Sequence, residues 1–336
     1  MNIELLMDIQ LTRTVRTLAL FSLAGFLFPV DNARAADRRA VSSGNWTNPA
    51  TWTSGILPDA ANNGCIDDGL TVTVDTDTPV AKYVYVGYYN SKPGVLHVST
   101  GGLLTAENTY VGQNATRTGR LVQTSGVISN TGVLYIGNTG HGIYQMSGGT
   151  NFSRYVYVGS MYSGVATQTA GRLETTRLYL GNNAATIGAF YEISGGRINA
   201  AADKSGLRLG SAGAKGGHFK IVGTDPVITA DYYFQTNAVL HVVLKAGGVS
   251  PIAITGNVLI RAESELRVEM DPAFLPYSGS DVTIMTYSGN RVGAFSTTNL
   301  ITRNLVSDGI QYDTTAKAIR LLNVRYVPPG TVIKLR

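Results

Sequence analysis

Several features that would point to a compact enzyme are missing from this sequence of 336 residues. Only one cysteine, Cys65, is present, so no disulfide bond can form within the chain. We interpret Cys65 as a small buried residue, with a reactive thiol as the alternative. Helical periodicity is absent throughout, which favours an all-β fold. No segment reaches the roughly twenty apolar residues that a membrane-crossing helix needs, so no membrane span is predicted.

Recognisable catalytic motifs are also missing. No nucleophile elbow, metal-ligand cluster or phosphate-binding loop occurs. His141 and His218 are single histidines, for which we favour a role in loops over catalysis. The central region contains four acidic residues, no two at the same repeat position, so no outward-facing carboxylate pair is predicted. These residues are Glu107, Glu174, Glu192 and Asp203.

What the sequence does contain is a short phrase that recurs six times between residues 81 and 223. Each phrase ends in glycine, and successive glycines are 25, 25, 22, 22 and 29 residues apart. A period in this range predicts stacked supersecondary units rather than one closed globule. The six glycines are Gly87, Gly112, Gly137, Gly159, Gly181 and Gly210.

Each unit also carries a second glycine-closed phrase and a third apolar patch such as Val127-Ile128. Three short strands joined by glycine turns fit into about 22 residues, which is one coil of a β-helix. We therefore predict an all-β protein, a right-handed parallel β-helix (β-solenoid) of about six clear coils. Its predicted segments are a signal peptide at 1–35, an N-terminal cap at 36–80, repeats at 81–223 and a less regular β-rich region at 224–336.

Alternation along the strands predicts which side chains face the core. In the first strand, pairs such as Val84/Val86 and Leu134/Ile136 should fill the interior. In the second strand the predicted inward pairs are Leu96/Val98, Val122/Thr124, Tyr144/Met146, Thr167/Thr169, Tyr191/Ile193 and Phe219/Ile221. The predicted outward residues of that strand are His97, Gln123, Gln145, Gln168, Glu192 and Lys220.

The same alternation places one tyrosine per coil on the outer surface, each above the last. Exposed rings at regular spacing can stack on sugar faces, but ring stacking between coils also stabilises a solenoid, and we favour the structural role. The glutamines invite the same two interpretations, ligand binding or amide ladders. Our candidate ligand-binding residues are Tyr85, Tyr110, Tyr135, Tyr157, Tyr179, Gln123, Gln145, Gln168, Arg172 and Arg197.

The N-terminal segment has the pattern of an export signal. Arg13 and Arg16 precede an apolar run at residues 18–30, and Ala33-Arg34-Ala35 supplies small residues for a peptidase. We expect cleavage after Ala35 or Ala36.

Residues 41–80 differ from the repeats, and Trp46 and Trp52 indicate a cap over the end coil. Their aspartates match no calcium loop, so we favour roles in turns over a metal site. The two tryptophans, the Pro58-Asp59 turn and the strand at 70–75 resemble the opening of many secreted bacterial β-helix proteins. They also resemble the glycine-rich domain at the start of some hyaluronan-handling proteins.

Residues 283–289, together with Gly293-Ala294-Phe295, are similar to the closing part of autotransporter passenger domains. With the six repeats, this likeness extends over most of the chain after the signal. The resemblance implies a secreted or cell-surface bacterial β-helix, and it carries no catalytic motif.

Charge is distributed unevenly along the chain. Residues 80–223 contain twelve Lys and Arg and four Asp and Glu, a net charge of +8. Residues 36–79 contain two basic and six acidic residues, a net charge of −4. A basic middle favours contact with polyanions, with a merely solvated surface as the alternative. We expect an exported, non-catalytic structural or adhesive protein without a cofactor that contacts acidic polysaccharide or another extracellular polyanion. A polysaccharide lyase or glycoside hydrolase is the alternative.

Overall fold

The chain winds into a coil in which successive turns stack their strands in parallel. The computed structural model describes residues 35–327 except 184, 185, 187, 202, 203, 212–215 and 275–278. The predicted signal segment therefore lies outside the described residues, apart from Ala35. Two sheets form the wall, one of 16 strands and one of 11, called here the long sheet and the short sheet. The prediction of an all-β parallel β-helix is confirmed.

The long sheet contains the strand of each repeat that carries the predicted tyrosine. Its strands are Ala36–Arg39, Asn62–Ile66, Ala81–Val86, Leu103–Val111, Val127–Ile136, Thr150–Val158, Arg172–Leu180, Arg197–Ala200, Gly206–Leu209, Val227–Gln235, Ile252–Ile260, Ser280–Tyr287, Arg291–Val292, Leu305–Val306, Gly309–Asp313 and Ala318–Tyr326.

The short sheet contains the strand of each repeat that lies between its two glycine turns. Its strands are Gly44–Asn45, Thr71–Val74, Gly94–Val98, Thr118–Gln123, His141–Met146, Ser163–Gln168, Gly188–Ile193, Gly217–Val222, Ala238–Leu244, Ser264–Met270 and Thr297–Leu300. Three single-turn 3-10 helices complete the described elements, at Pro49–Thr51, Thr53–Gly55 and Pro272–Phe274.

Five of the six repeats have two strands where the sequence predicted three, and the sixth keeps three, at Arg197–Ala200, Gly206–Leu209 and Gly217–Val222. The third apolar patch and the tyrosine strand form one continuous strand, such as Val127–Ile136, which carries both Val127-Ile128 and Tyr135. In the next turn, the strand Thr150–Val158 pairs with Val127–Ile136, and the register shifts between Ser153 and Tyr155. This shift marks the bend between the two halves of the strand. A β-bulge lets a strand change direction without ending, so the chain passes the corner without a turn sequence.

The parallel turns also continue beyond the six recognised repeats, and the solenoid has about nine turns. Val227–Gln235 pairs in parallel with Ile252–Ile260, which in turn pairs with Ser280–Tyr287. These turns keep the inward alternation after the glycine phrases become irregular, because burial of alternate side chains is what holds a strand in the wall. The coil ends where Ala318–Tyr326 pairs antiparallel with Ser280–Tyr287 and Gly309–Asp313.

The interior is filled by one apolar row per strand. The inward pairs predicted for the first strand are confirmed, since Val84, Val86, Leu134 and Ile136 are all fully buried. At the N-terminal end, Trp46 and Trp52 are each 1% exposed, and their rings meet edge to face with centroids 4.8 Å apart. Trp52 Nε1 donates to the Trp46 carbonyl at 2.6 Å. The two tryptophans are therefore part of the core and offer no exposed binding patch.

Glycine is required where the two sheets meet. Gly112 has φ +75°, and a Cβ there would lie 2.1 Å from the carbonyl oxygen of His141. In the next turn, a Cβ on Gly142 would lie 2.4 Å from the carbonyl oxygen of Val111. Backbone from consecutive turns approaches too closely at these corners for any side chain, which explains the period that the sequence displays.

Candidate functional site

The five predicted tyrosines form a continuous ladder on the long sheet. Parallel register places Tyr85 beside Tyr110, Tyr110 beside Tyr135, and Tyr157 between Tyr135 and Tyr179. Successive ring centroids are 5.1, 5.0, 5.4 and 5.9 Å apart, with interplanar angles between 8° and 28°. The rings are half-buried, and Tyr179 is 8% exposed.

This geometry restricts what the ladder can bind. Each inner ring has both faces covered by neighbouring rings, and Tyr88 stacks on the outer face of Tyr85 at 4.8 Å. Sugars therefore cannot stack on the ring faces, and only ring edges and hydroxyl groups remain accessible. Burial raises the pKa of Tyr110 to about 12, so its hydroxyl stays protonated at neutral pH. The geometry favours the structural interpretation of the ladder.

Two of the three predicted glutamine ligands lie inside the coil. Gln123 and Gln168 are 0% and 1% exposed, so the prediction that they face outward is wrong. The alternation in these two turns is offset by one residue from the predicted one. The predicted inward pairs Val122/Thr124 and Thr167/Thr169 are therefore wrong as well. Gln145 does face outward, where its Oε1 accepts a hydrogen bond from Arg120 Nε at 2.9 Å.

The buried glutamines satisfy their polar groups through tyrosines of the next turn. The Tyr144 hydroxyl donates to Gln123 Oε1 at 2.7 Å, and the Tyr191 hydroxyl donates to Gln168 Oε1 at the same distance. Each side-chain amide nitrogen also donates to backbone carbonyls, such as that of Thr150, 3.0 Å from Gln123 Nε2. Full hydrogen bonding is what allows an amide to remain in an apolar core.

A sequence signal for these inward positions exists. The last inward residue of the second strand lies three residues before a glycine of positive φ in five consecutive turns. These inward residues are Val98, Gln123, Met146, Gln168 and Ile193. Alignment on that glycine, rather than on the small-residue pair, places both glutamines in the core.

Arg172 and Arg197 lie side by side on the outer surface of the long sheet. They are register partners in adjacent strands, and both side chains are exposed. Arg172 forms an ion pair with Glu174, and Glu174 also accepts a hydrogen bond from Asn199 Nδ2 at 2.8 Å. The structure thus brings the two predicted arginines together, across the bend of the strand from the tyrosine ladder.

Next to these arginines, at the bend of the strand, lies a groove with a volume of about 300 Å³. Phe152, Arg154, Glu174 and Asn199 contribute to its lining. Phe152 is 47% exposed although it lies in the middle of a strand, on the outward side of the wall. We name this surface the Phe152 groove. Arg172 and Arg197 lie two residues before its lining residues Glu174 and Asn199 on the same two strands. Phe152 was not among the residues predicted from the sequence, and its signal is a large aromatic residue at an outward position of a strand.

A second cavity, of about 430 Å³, is lined in part by Arg39, Cys65 and Asp67. Cys65 is 1% exposed, and burial raises the pKa of its thiol, which confirms the buried interpretation over a reactive thiol. Asp67 Oδ1 accepts the amide hydrogen of Tyr88 at 2.6 Å, so this aspartate orders a turn. Within the described residues no group of three His, Cys, Asp or Glu side chains is placed to hold a metal ion.

His141 and His218, which were considered from the sequence, have different neighbours in the structure. His141 begins a short-sheet strand and contacts the Tyr162 ring edge to face, with centroids 4.7 Å apart. His218 lies inside the strand Gly217–Val222. Neither histidine lies in a loop, so the prediction of loop roles is wrong. His218 Nε2 is 3.2 Å from His241 Nδ1, and His241 Nε2 is 3.1 Å from a carboxylate oxygen of Glu269. Burial lowers the pKa of both histidines to about 4.

The chain matches no model of a known protein family, no curated protein and no solved structure. In the part of the chain that the structure describes, no helix is long and apolar enough to cross a membrane.

Proposed function

We propose that the protein is an exported, non-catalytic β-solenoid that acts as a structural or adhesive protein at the bacterial cell surface and contacts acidic polysaccharide. The observation that carries this proposal is the Phe152 groove. There an exposed aromatic ring lies beside Arg154, and Arg172 and Arg197 lie two residues before the lining residues Glu174 and Asn199.

The chemistry of the groove matches a sugar acid. An exposed aromatic ring offers an apolar face to the carbon skeleton of a sugar, while guanidinium groups form paired hydrogen bonds with carboxylates. Asn199 and Ser129 add neutral polar groups of the kind that bind hydroxyls. The net charge of +8 over residues 80–223 attracts a polyanion to this part of the solenoid.

Export is supported by the basic, apolar and small-residue pattern of the N-terminal segment. The cell-surface role is supported by the resemblance to autotransporter passenger domains, together with the solenoid fold. A stack of about nine turns makes a rod roughly 40 Å long, because each turn adds about 4.8 Å. Such a rod suits repeated weak contacts along one face.

A polysaccharide lyase or hydrolase remains the second candidate, and the groove gives it less support. Hydrolases need two carboxyl groups about 5–9.5 Å apart across the scissile bond. Glu174 is the one carboxylate among the described residues that line the groove, and Arg172 and Asn199 already bind it.

The test uses purified protein lacking residues 1–35, incubated with a panel of acidic and neutral polysaccharides. We expect acidic chains to keep their length and to carry the protein down on sedimentation. Phe152→Ala should weaken this co-sedimentation. Val292→Ala, which truncates another exposed apolar residue several turns away, should not. Shortened chains would establish an enzyme, and intact chains with no bound protein would reject the glycan contact.

A further inference from the structure

Beyond the Phe152 groove, the outer surface of the long sheet carries arginines that alternate with aromatic rings. The guanidinium carbons of Arg154 and Arg177 lie 5.1 and 5.3 Å from the centroid of Tyr155. Those of Arg208 and Arg261 lie 5.7 and 5.5 Å from the centroid of Phe234. We name these four residues the arginine track.

Ser205 connects the two halves of the track. Its hydroxyl accepts a hydrogen bond from Arg177 Nη2 at 2.9 Å, and its carbonyl accepts one from Arg208 Nε at 3.1 Å. Register places Tyr155 beside Arg177 in the next turn, and Arg208 beside Phe234 in the turn after its own. The track therefore runs along the solenoid axis over five turns. At about 4.8 Å per turn, it spans roughly 20 Å.

The track arginines differ in their partners from four arginines that form ion pairs elsewhere in the chain. Arg172, Arg267, Arg320 and Arg325 each lie within 4 Å of a carboxylate oxygen, whereas none of the four track arginines does so among the described residues. Aromatic rings and Ser205 hold the track side chains instead. A guanidinium packed on a ring keeps its N–H edge available for an oxyanion and has already lost much of its conformational freedom.

We propose that the arginine track binds a linear acidic polysaccharide aligned with the solenoid axis, one anionic group at each arginine. This inference rests on the proposed function and adds the orientation of the polymer and the residues that read its charge. Arg154 lines the Phe152 groove as well, so a polymer seated there continues directly onto Arg177 and Arg208.

The test measures the binding of linear galacturonic acid oligomers of two to ten units to the protein lacking residues 1–35. For the wild type, affinity should rise with length until the oligomer spans about 20 Å, and then level off. Arg208→Gln with Arg261→Gln should weaken binding of the ten-unit oligomer about tenfold or more, because two charge-assisted contacts are lost. Arg261→Gln alone changes an exposed side chain and should weaken it about threefold, which covers the case in which the double variant does not fold.

The matched control is Arg117→Gln with Arg120→Gln, which removes the same charge at the short-sheet side of the coil and should change affinity less than twofold. Equal weakening in both double variants would reject the track and leave the proposed function standing. If the wild-type protein bound neither the oligomers nor the acidic polysaccharides of the co-sedimentation test, the proposed function itself would be rejected. If single-stranded DNA of ten nucleotides bound more tightly than the oligomer, the assignment to polysaccharide would be overturned.

Discussion

The interior and the outer surface of the solenoid wall use tyrosine and glutamine in opposite ways. Inside, the Tyr191 hydroxyl donates to Gln168, and both side chains are buried away from water. Outside, Tyr135 stacks on a ring above and a ring below. A buried polar pair depends on each of its members, whereas a ladder distributes its stabilisation over many neighbours. The consequences of single substitutions should follow this difference.

The largest effect is expected where backbone from two turns meets at the boundary of the interior. Gly142→Ala would place a Cβ 2.0 Å from the Gly137 nitrogen and 2.4 Å from the Val111 carbonyl oxygen. Backbone on both sides cannot move away, so we expect a loss of at least about 4 kcal/mol in the free energy of unfolding, measured by denaturant titration. Gly188→Ala is the control, since its Cβ meets nothing closer than Ser163 Oγ at 4.0 Å. Equal losses would show that general strand propensity, not contact between turns, requires glycine.

Inside the wall, Tyr191→Phe should cost about 2 kcal/mol, because Gln168 Oε1 would lose its hydrogen-bond donor in a buried site. Denaturant titration measures this loss. Tyr157→Phe removes a hydroxyl from the outer ladder and should change the free energy of unfolding by less than about 0.5 kcal/mol. If both variants were equally stable, the distinction between interior and outer tyrosines would fail.

On the outer surface, Tyr135→Leu should cost about 1 kcal/mol, since a leucine keeps apolar contact but loses stacking against both Tyr110 and Tyr157. Because the remaining rings still cover one another, the loss should stay local. A loss as large as that of Tyr191→Phe would contradict the idea that the ladder shares its stabilisation.

The smallest effect at neutral pH concerns the histidines on the outer face of the short sheet. Burial lowers the pKa of His218 and His241 to about 4, compared with the ordinary value of 6.5. Charged side chains face this pair from three strands: Glu192, Lys220, Glu265, Arg267 and Glu269. Above about pH 6.5 both histidines are neutral in the folded and in the unfolded chain, so they do not lower the free energy of unfolding in that pH range.

As pH falls from about 6.5 to 4, the unfolded chain binds protons that the folded chain does not, and stability is lost. Below about 4 the loss levels off. Replacing both histidines with glutamine should therefore reduce the fall in the unfolding midpoint between pH 7 and pH 4.5. An unchanged fall would assign the acid sensitivity to carboxylates elsewhere.

Much of the fold is readable from the sequence because one period links glycine spacing to backbone contact. Each corner glycine, such as Gly112, meets the chain of the next turn, so the repeat records the stacking directly. The number of turns was underestimated because beyond residue 223 only the inward alternation persists, without the glycine phrases. The merging of two predicted strands into Val127–Ile136 depends on a bulge at the bend, for which no turn residues are needed.

The candidate site was less accessible from the sequence. Arg172 and Arg197 were identified from their repeat positions, and the structure places them together on the surface. Phe152 was missed because an aromatic residue in a strand ordinarily packs inward, and its exposure depends on the parity of that one strand.

The coil, its period and the alignment of the tyrosines can be derived from the amino-acid order alone, because they follow from local alternation and from glycine at regular intervals. The side of the wall that Gln123 and Gln168 face, and the course of the arginine track, become visible only in the folded chain. A shift of one residue reverses the facing of a strand, and that shift is set by pairing with the neighbouring turns. The track likewise joins side chains from turns that are far apart in sequence, and only the register of the stacked strands brings them together.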